Sequence, residues 1–297
     1  MQCIECVCSE ASRRIGFSSI VKLYRTKFGN VVEQRDKFFR IEGTSWDQLL
    51  RHDDLERHLS LVTSSAQEVS REAIEDDSLL PPIQSQEVWA AGVTYLRSRT
   101  ARMEESSHSG GGSFYDRVYV ADRPELFFKA TPNRVVGHKG DVAIRKDATW
   151  SVPEPELTLV ISASGKIVGY TVGNDMSSRD IEGENPLYLP QAKVYSRACA
   201  LGPGILVSSQ MLPRETKIQL DIVRTDKKVF TGTTTLANLK RDLATLVSYL
   251  YRENDYPNGC FLLTGTGIVP PDSFNLALGD TIHITIDGIG TLTNFVR

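Results

Sequence analysis

Val152-Pro153-Glu154-Pro155-Glu156-Leu157 leads into the apolar run Glu156–Ile161, and a second run, Lys166–Gly173, ends at Asn174-Asp175. Both runs read as strands. Residues two apart in an extended chain share a face, so Glu154 and Glu156 present two carboxylates on one side. The prolines flanking Glu154 stiffen its backbone. Paired as a hairpin, the two runs bring Asp175 to the same end as the glutamates.

Other strand-like runs surround this pair: Val88–Val93, Leu126–Lys129, Asp141–Ile144, Gly204–Val207, Ile218–Arg224, Lys228–Thr235, Thr281–Ile286 and Gly290–Phe295. Helical spacing of apolar residues predicts a helix over Leu239–Tyr251, and the Arg-rich stretch Leu96–Met103 also reads as helical. Strands outnumber helices and do not alternate with them. That excludes a Rossmann or TIM arrangement. It predicts an α+β, β-rich fold: a mixed β roll or sandwich with peripheral helices.

Near the N-terminus, Ile20–Tyr24 and Val31–Ile41 flank Gly29-Asn30 and read as a hairpin. Thr44 or Ser45 caps a helix predicted to run from Trp46 to Leu61. Leu79-Leu80-Pro81-Pro82-Ile83 is a stiff linker. The boundary falls there: residues 1–80 form a small N-terminal α+β domain, with 1–16 loosely ordered, and residues 81–297 form the catalytic domain.

The chain has 297 residues, 24% charged, with a net charge of −3, and no basic stripe that would suit nucleic acid. No apolar run reaches the roughly 18–20 residues of a membrane span. No secretory signal is visible, so a cytoplasmic location is expected. Of five cysteines, Cys3, Cys6 and Cys8 lack a fourth zinc ligand nearby, and Cys199 and Cys260 read as small buried hydrophobes. The Ser106–Ser113 segment, rich in Gly and Ser, reads as a passive loop or as a hinged lid.

Clustered carboxylates repel one another unless a cation sits among them. An all-oxygen set selects Mg²⁺, with Mn²⁺ or Ca²⁺ as alternatives, over Zn²⁺. The metal ligands expected are therefore Glu154, Glu156 and Asp175.

These segments, with Gly169-Tyr170-Thr171-Val172-Gly173-Asn174-Asp175-Met176-Ser177-Ser178-Arg179-Asp180, Ala192-Lys193, Leu201-Gly202-Pro203, Leu126-Phe127-Phe128-Lys129, Leu263-Thr264-Gly265-Thr266-Gly267, Leu278-Gly279-Asp280 and Gly288–Asn294, resemble the fumarylacetoacetate hydrolase superfamily. The resemblance covers about residues 88–297. It implies a mixed β roll, a homodimer or homotetramer, metal ligands at the three carboxylates already chosen, and an active-site lysine at Lys193.

One departure changes the expected chemistry. Hydrolases of the superfamily carry a His three residues past a Tyr, then a Glu three further on, as a water-activating pair. After Tyr95 this chain has Ser98 and Ala101. An unassisted serine hydroxyl is a poor base near neutral pH. His108 is the alternative base, in the glycine-rich loop.

The surrounding wording is similar to a sugar-acid branch of the superfamily. That implies a lyase dehydrating a 2-dehydro-3-deoxy sugar acid to a 2,5-dioxo acid through a metal-stabilised enolate. Lys193 is then the base or an electrostatic stabiliser, and Glu105 or a water assists the departing hydroxyl. Ser98 completes the candidate catalytic set. Thr266, Lys129, Arg99 and Tyr95 are candidate binders of the small 2-oxo acid, while Arg179 is expected to pair with Asp180 or Asp116. Two other readings stand beside this one: a C–C hydrolase or decarboxylase of acylpyruvate-type acids, and a non-catalytic 2-oxo-acid binding protein.

Overall fold

The computed structural model describes residues 20–105 and 112–297. The expectations for residues 1–16, Cys3, Cys6, Cys8 and His108 concern residues outside those.

The N-terminal part begins with strands β1 (Val21–Thr26), β2 (Gly29–Gln34) and β3 (Lys37–Ile41). The run Val31–Ile41, expected as one strand, is split because Arg35 and Asp36 adopt left-handed φ angles of 54° and 61°. Two such residues make the tight turn that matches strand twist in a hairpin. The single helix expected to reach Leu61 is also split, into α1 (Trp46–Leu50) and α2 (Leu55–Thr63). Ser45 and Gln48 form a capping box at the first, and Asp54 caps the second by accepting from Arg57 N at 3.2 Å. β4 (Gln67–Val69) follows.

The remaining elements are β5 (Glu87–Gly92), α3 (Leu96–Glu105), α4 (Gly112–Val120), β6 (Glu125–Ala130), β7 (Val135–Val136), β8 (Gly140–Val142), β9 (Ser151–Ile161), β10 (Ile167–Ser178), α5 (Arg179–Glu184), α6 (Leu189–Lys193), β11 (Cys199–Val207), β12 (Lys217–Arg224), β13 (Lys227–Thr235), α7 (Leu243–Leu250), β14 (Cys260–Leu263), β15 (Thr281–Ile286) and β16 (Gly290–Val296). Helix α7 starts later than the predicted Leu239, because Asp242 accepts from Thr245 N and caps it there.

The larger sheet runs β4-β3-β2-β1-β11-β10-β9-β14-β5-β6, with β7 beside β11, and the smaller runs β13-β12-β15-β16-β8. Most pairs are antiparallel, but β14–β5, β11–β7 and β16–β8 are parallel. This is the mixed β roll with peripheral helices that the strand pattern predicted.

Strand β9 is buried along its whole length. Leu157, Leu159 and Ile161 pack in one core with Leu220, Ile222, Ile282 and Ile284 of the small sheet. Val160 belongs to a second core with Leu23, Trp46, Leu49, Phe261 and Leu263. Side chains alternate across a strand, so Glu154 and Glu156 share the face of Val160, away from the small sheet.

Residues 20–80 join the larger sheet edge-on. β1 pairs with β11 from Val21↔Val207 to Leu23↔Ile205, and Leu23 is wholly buried. Leu23→Ala is expected to lower stability by about 2–5 kcal/mol, read as a lower urea midpoint with an unchanged slope. An unmoved midpoint would show that β1 lies outside the cooperative core.

Candidate active site

Strands β9 and β10 pair so that Asp175 faces Glu154 and Gly173 faces Glu156. Directly opposed residues project from one face of a sheet, so the three carboxylates converge. Glu154, Glu156 and Asp175 are all buried. One oxygen from each lies within 4.8 Å of the other two.

Both strands run further than the sequence patterns suggested, which places Pro153 and Pro155 inside β9 rather than ahead of it. β14 pairs with β9 only over Thr158–Ile161, so beside the prolines that side of β9 has no ladder to interrupt. The loop Thr264–Gly267 takes the vacated edge. Thr264 N and Oγ1 donate to Leu157 O at 3.0 and 2.9 Å, and Gly265 N donates to Glu156 Oε2 at 2.5 Å. Gly265 sits at φ +88°, where a Cβ would overlap Thr94 Oγ1. Only glycine fits that turn without strain.

Three buried cations brace the carboxylates. Lys193 Nζ donates to Glu154 Oε2 at 2.5 Å, Asp175 Oδ2 at 3.1 Å and Ser177 Oγ at 2.6 Å. Arg179 Nη1 donates to Glu154 Oε1 at 2.6 Å. Lys129 pairs with Asp175 and donates to Met176 O at 3.1 Å and Lys193 O at 2.5 Å. Arg179 is therefore held by Glu154 and not by its expected partners: Asp180 accepts from Thr149, and Asp116 from Arg99.

Local sequence explains how these cations return to the strand ends. Arg179 opens α5 as β10 ends, its N–H donating to Trp150 O at 2.8 Å. Pro186 and Pro190 start the next two turns, where a missing N–H leaves no helical bond unmade. Helix α6 then ends on Lys193.

Charge crowding weighs on Glu156. Burial, then the charges of Asp175 and Glu154, push its carboxyl well above the usual range, only partly opposed by Lys193 and the Gly265 N–H. A hard divalent cation would offset that excess, and three convergent carboxylates are the donors such an ion prefers. The residues present fit a Mg²⁺-type cation.

A small cavity of about 20 Å³ opens over this set. Its wall includes all three carboxylates, Lys193, Thr266 and Ser98. It also includes Glu125 and Glu182, which the sequence reading missed. Glu125 had a signal: Glu125, Phe127 and Lys129 alternate along β6, so a strand that aims Lys129 at the site aims Glu125 the same way.

The other expected residues are placed differently. Ser98 Oγ is engaged with the Tyr95 backbone, donating to its carbonyl at 2.8 Å and accepting from its N–H at 3.3 Å. Thr266 Oγ1 closes a local turn with Ile268. Tyr95 and Lys129 are buried and do not line the cavity, and burial with the Glu156 charge raises the Tyr95 phenol. Arg99 pairs with Asp116 at 2.5 Å, outside the cavity wall. Glu105 ends α3, but its side chain lies outside the described ones.

Glu156→Gln is expected to weaken Mg²⁺ binding by more than the roughly 10–100-fold typical of losing an outer partner. Isothermal titration with Mg²⁺ checks it; unchanged affinity would remove Glu156 from the ligand set.

Comparison with known proteins is consistent with this geometry. The family model described as "Fumarylacetoacetate (FAA) hydrolase C-terminal" matches residues 101–297. The chain is 45% identical over 265 residues to a Haloferax volcanii protein named "Probable 2-keto-3-deoxyxylonate dehydratase", covering 85% of this chain and 90% of that one. It is 44% identical over 226 residues to the 2-dehydro-3-deoxy-D-arabinonate dehydratase of Saccharolobus solfataricus, covering 75% and 76%. A solved structure of 2-keto-3-deoxy-D-arabinonate dehydratase complexed with magnesium and 2,5-dioxopentanoate superposes with a TM-score of 0.78 at 34% identity, over 94% of this chain and 98% of that one. The chain belongs to the fumarylacetoacetate hydrolase family.

Proposed function

We propose that the protein is a Mg²⁺-dependent hydro-lyase that converts a 2-dehydro-3-deoxy pentonate to 2,5-dioxopentanoate. The relatives named above, one of them solved with magnesium and 2,5-dioxopentanoate, support this reading. The observation that carries it is a contrast within one cavity. The carboxylate set and Lys193 are complete, while the positions of a hydrolase's water-activating pair hold Ser98, tied to Tyr95, and the buried methyl of Ala101. In this reading the site takes a 2-oxo acid, and neither Ser98 nor Ala101 can activate water at those two positions.

Each step can be assigned to a residue. Glu154, Glu156 and Asp175 would hold a divalent cation, which would supply polarisation of the 2-oxo group. Thr266, in the glycine loop on the cavity wall, faces the substrate carboxylate. Lys193 Nζ, beside Glu154 and Asp175, takes the C3 proton. Glu125, on the cavity wall, gives a proton to the departing C4 hydroxyl, the part that the sequence assigned to Glu105. Lys129 and Arg179 hold Asp175 and Glu154 in place.

We further read the protein as cytoplasmic and as a homodimer or homotetramer. Among the described residues no helix is long and apolar enough to cross a membrane.

Incubation with Mg²⁺ and a 2-dehydro-3-deoxy pentonate is expected to give a dioxo acid without pyruvate. Release of pyruvate from an acylpyruvate would overturn the reading in favour of C–C hydrolysis. Turnover of neither substrate, with metal still bound, would favour a binding protein.

A further inference from the structure

The conversion just proposed needs more proton traffic than one base can carry, and this inference rests on that reading. Loss of the C3 proton and the C4 hydroxyl leaves 5-hydroxy-2-oxopent-3-enoate. Its isomer 2,5-dioxopentanoate requires one C5–H bond and the O5–H bond to break, and new C–H bonds to form at C3 and C4. The electron pair of the C5–H bond moves along the conjugated chain. C5 is thereby oxidised as the C3=C4 double bond is reduced, with no outside oxidant. Lys193, held against Glu154 and Asp175, serves C3. The far end of a five-carbon acid needs a group of its own.

We propose that Glu182 is the catalytic acid–base at that far end, taking the C5 proton and returning it to C4. Glu182 lies on the cavity wall and is 3% exposed. It stands three residues past Arg179 on α5, and Arg179 binds Glu154. Residues three apart share a helix face, about 4.5 Å along the axis. Glu182 thus lines the same cavity as the carboxylate set from a position further along α5 than the arginine that binds Glu154. Glu125, the second carboxylate of the wall, completes the cycle. A Cβ at Gly92, its cross-strand partner, would overlap the Glu125 carboxylate, so the bare backbone there leaves that group its seat.

The protons then balance. Lys193 removes a proton from C3 and later restores one. Glu125 gives its proton to the departing hydroxyl, which leaves as water, and recovers one from O5–H. Glu182 carries the C5 proton to C4. Every group ends as it began.

The test is the product ratio of the Mg²⁺-loaded Glu182→Gln variant. The unsaturated 5-hydroxy acid is conjugated and is followed by near-ultraviolet absorbance, and the dioxo acid by chromatography. The expected result is accumulation of the unsaturated acid, with the ratio of dioxo to unsaturated acid lowered by about 10²–10⁴-fold, the worth of one general acid–base. An unchanged ratio, at whatever overall rate, would overturn the proposal, because a merely structural role slows both steps together. If Glu182→Gln yields too little product to measure, Glu182→Asp decides. Its ratio should fall by less and fall further with substrate deuterated at C5, and insensitivity to that deuterium overturns the proposal. Wild type that releases no water from the pentonate would instead overturn the dehydration reading, and this proposal with it.

Discussion

Placing Glu154 directly across from Asp175, with Glu156 two residues along the same strand face, sets three carboxylates together where water cannot screen them. The energy of that arrangement governs the site's neighbourhood. Buried charges are tolerated only when paired and hydrogen-bonded. Lys193 therefore bridges Glu154 and Asp175, Arg179 holds the other oxygen of Glu154, and Lys129 ties Asp175 to the backbone of Lys193. These three cations come from β6, α5 and α6. The charge balance thus also locks two short helices and an edge strand around the strand ends.

The same arrangement separates two jobs. Lys129 and Arg179 are committed to holding ligands and do not line the cavity. Lys193 both braces the carboxylates and lines the cavity, so in the proposed reaction one group would stabilise the site and move a proton. Glu156 carries a charge penalised by burial and by Asp175 and Glu154, so a bound cation would relieve it. Ser98, Glu125 and Glu182 complete the cavity wall.

Much of this was legible in the sequence because strands have a strict period. Glu-Pro-Glu on one run and Asn-Asp at the end of the next predict convergence, and the register bears it out. The β-rich class followed from the same alternation. What sequence could not supply was set by tertiary context. The strands extend past their apolar runs because Asp175, Ser177 and Glu154 are buried by partners distant in the chain. The turn at Arg35-Asp36 depends on left-handed backbone at both residues, which Asp36 tolerates and Arg35 does not advertise. Arg179 went to Glu154 because α5 folds back over the strand end, a path no local pattern encodes. Glu182 was hidden for the same reason, whereas Glu125 could have been read from its alternation with Lys129.

The central claim is that the three carboxylates, braced as described, hold one hard divalent cation. Anomalous diffraction from crystals soaked in Mn²⁺ tests it most directly. One peak is expected within about 2.0–2.3 Å of an oxygen from each of Glu154, Glu156 and Asp175, with Arg179 and Lys129 still on their carboxylates. A saturating soak that leaves this position without a peak, or puts the ion on other residues, would contradict the account.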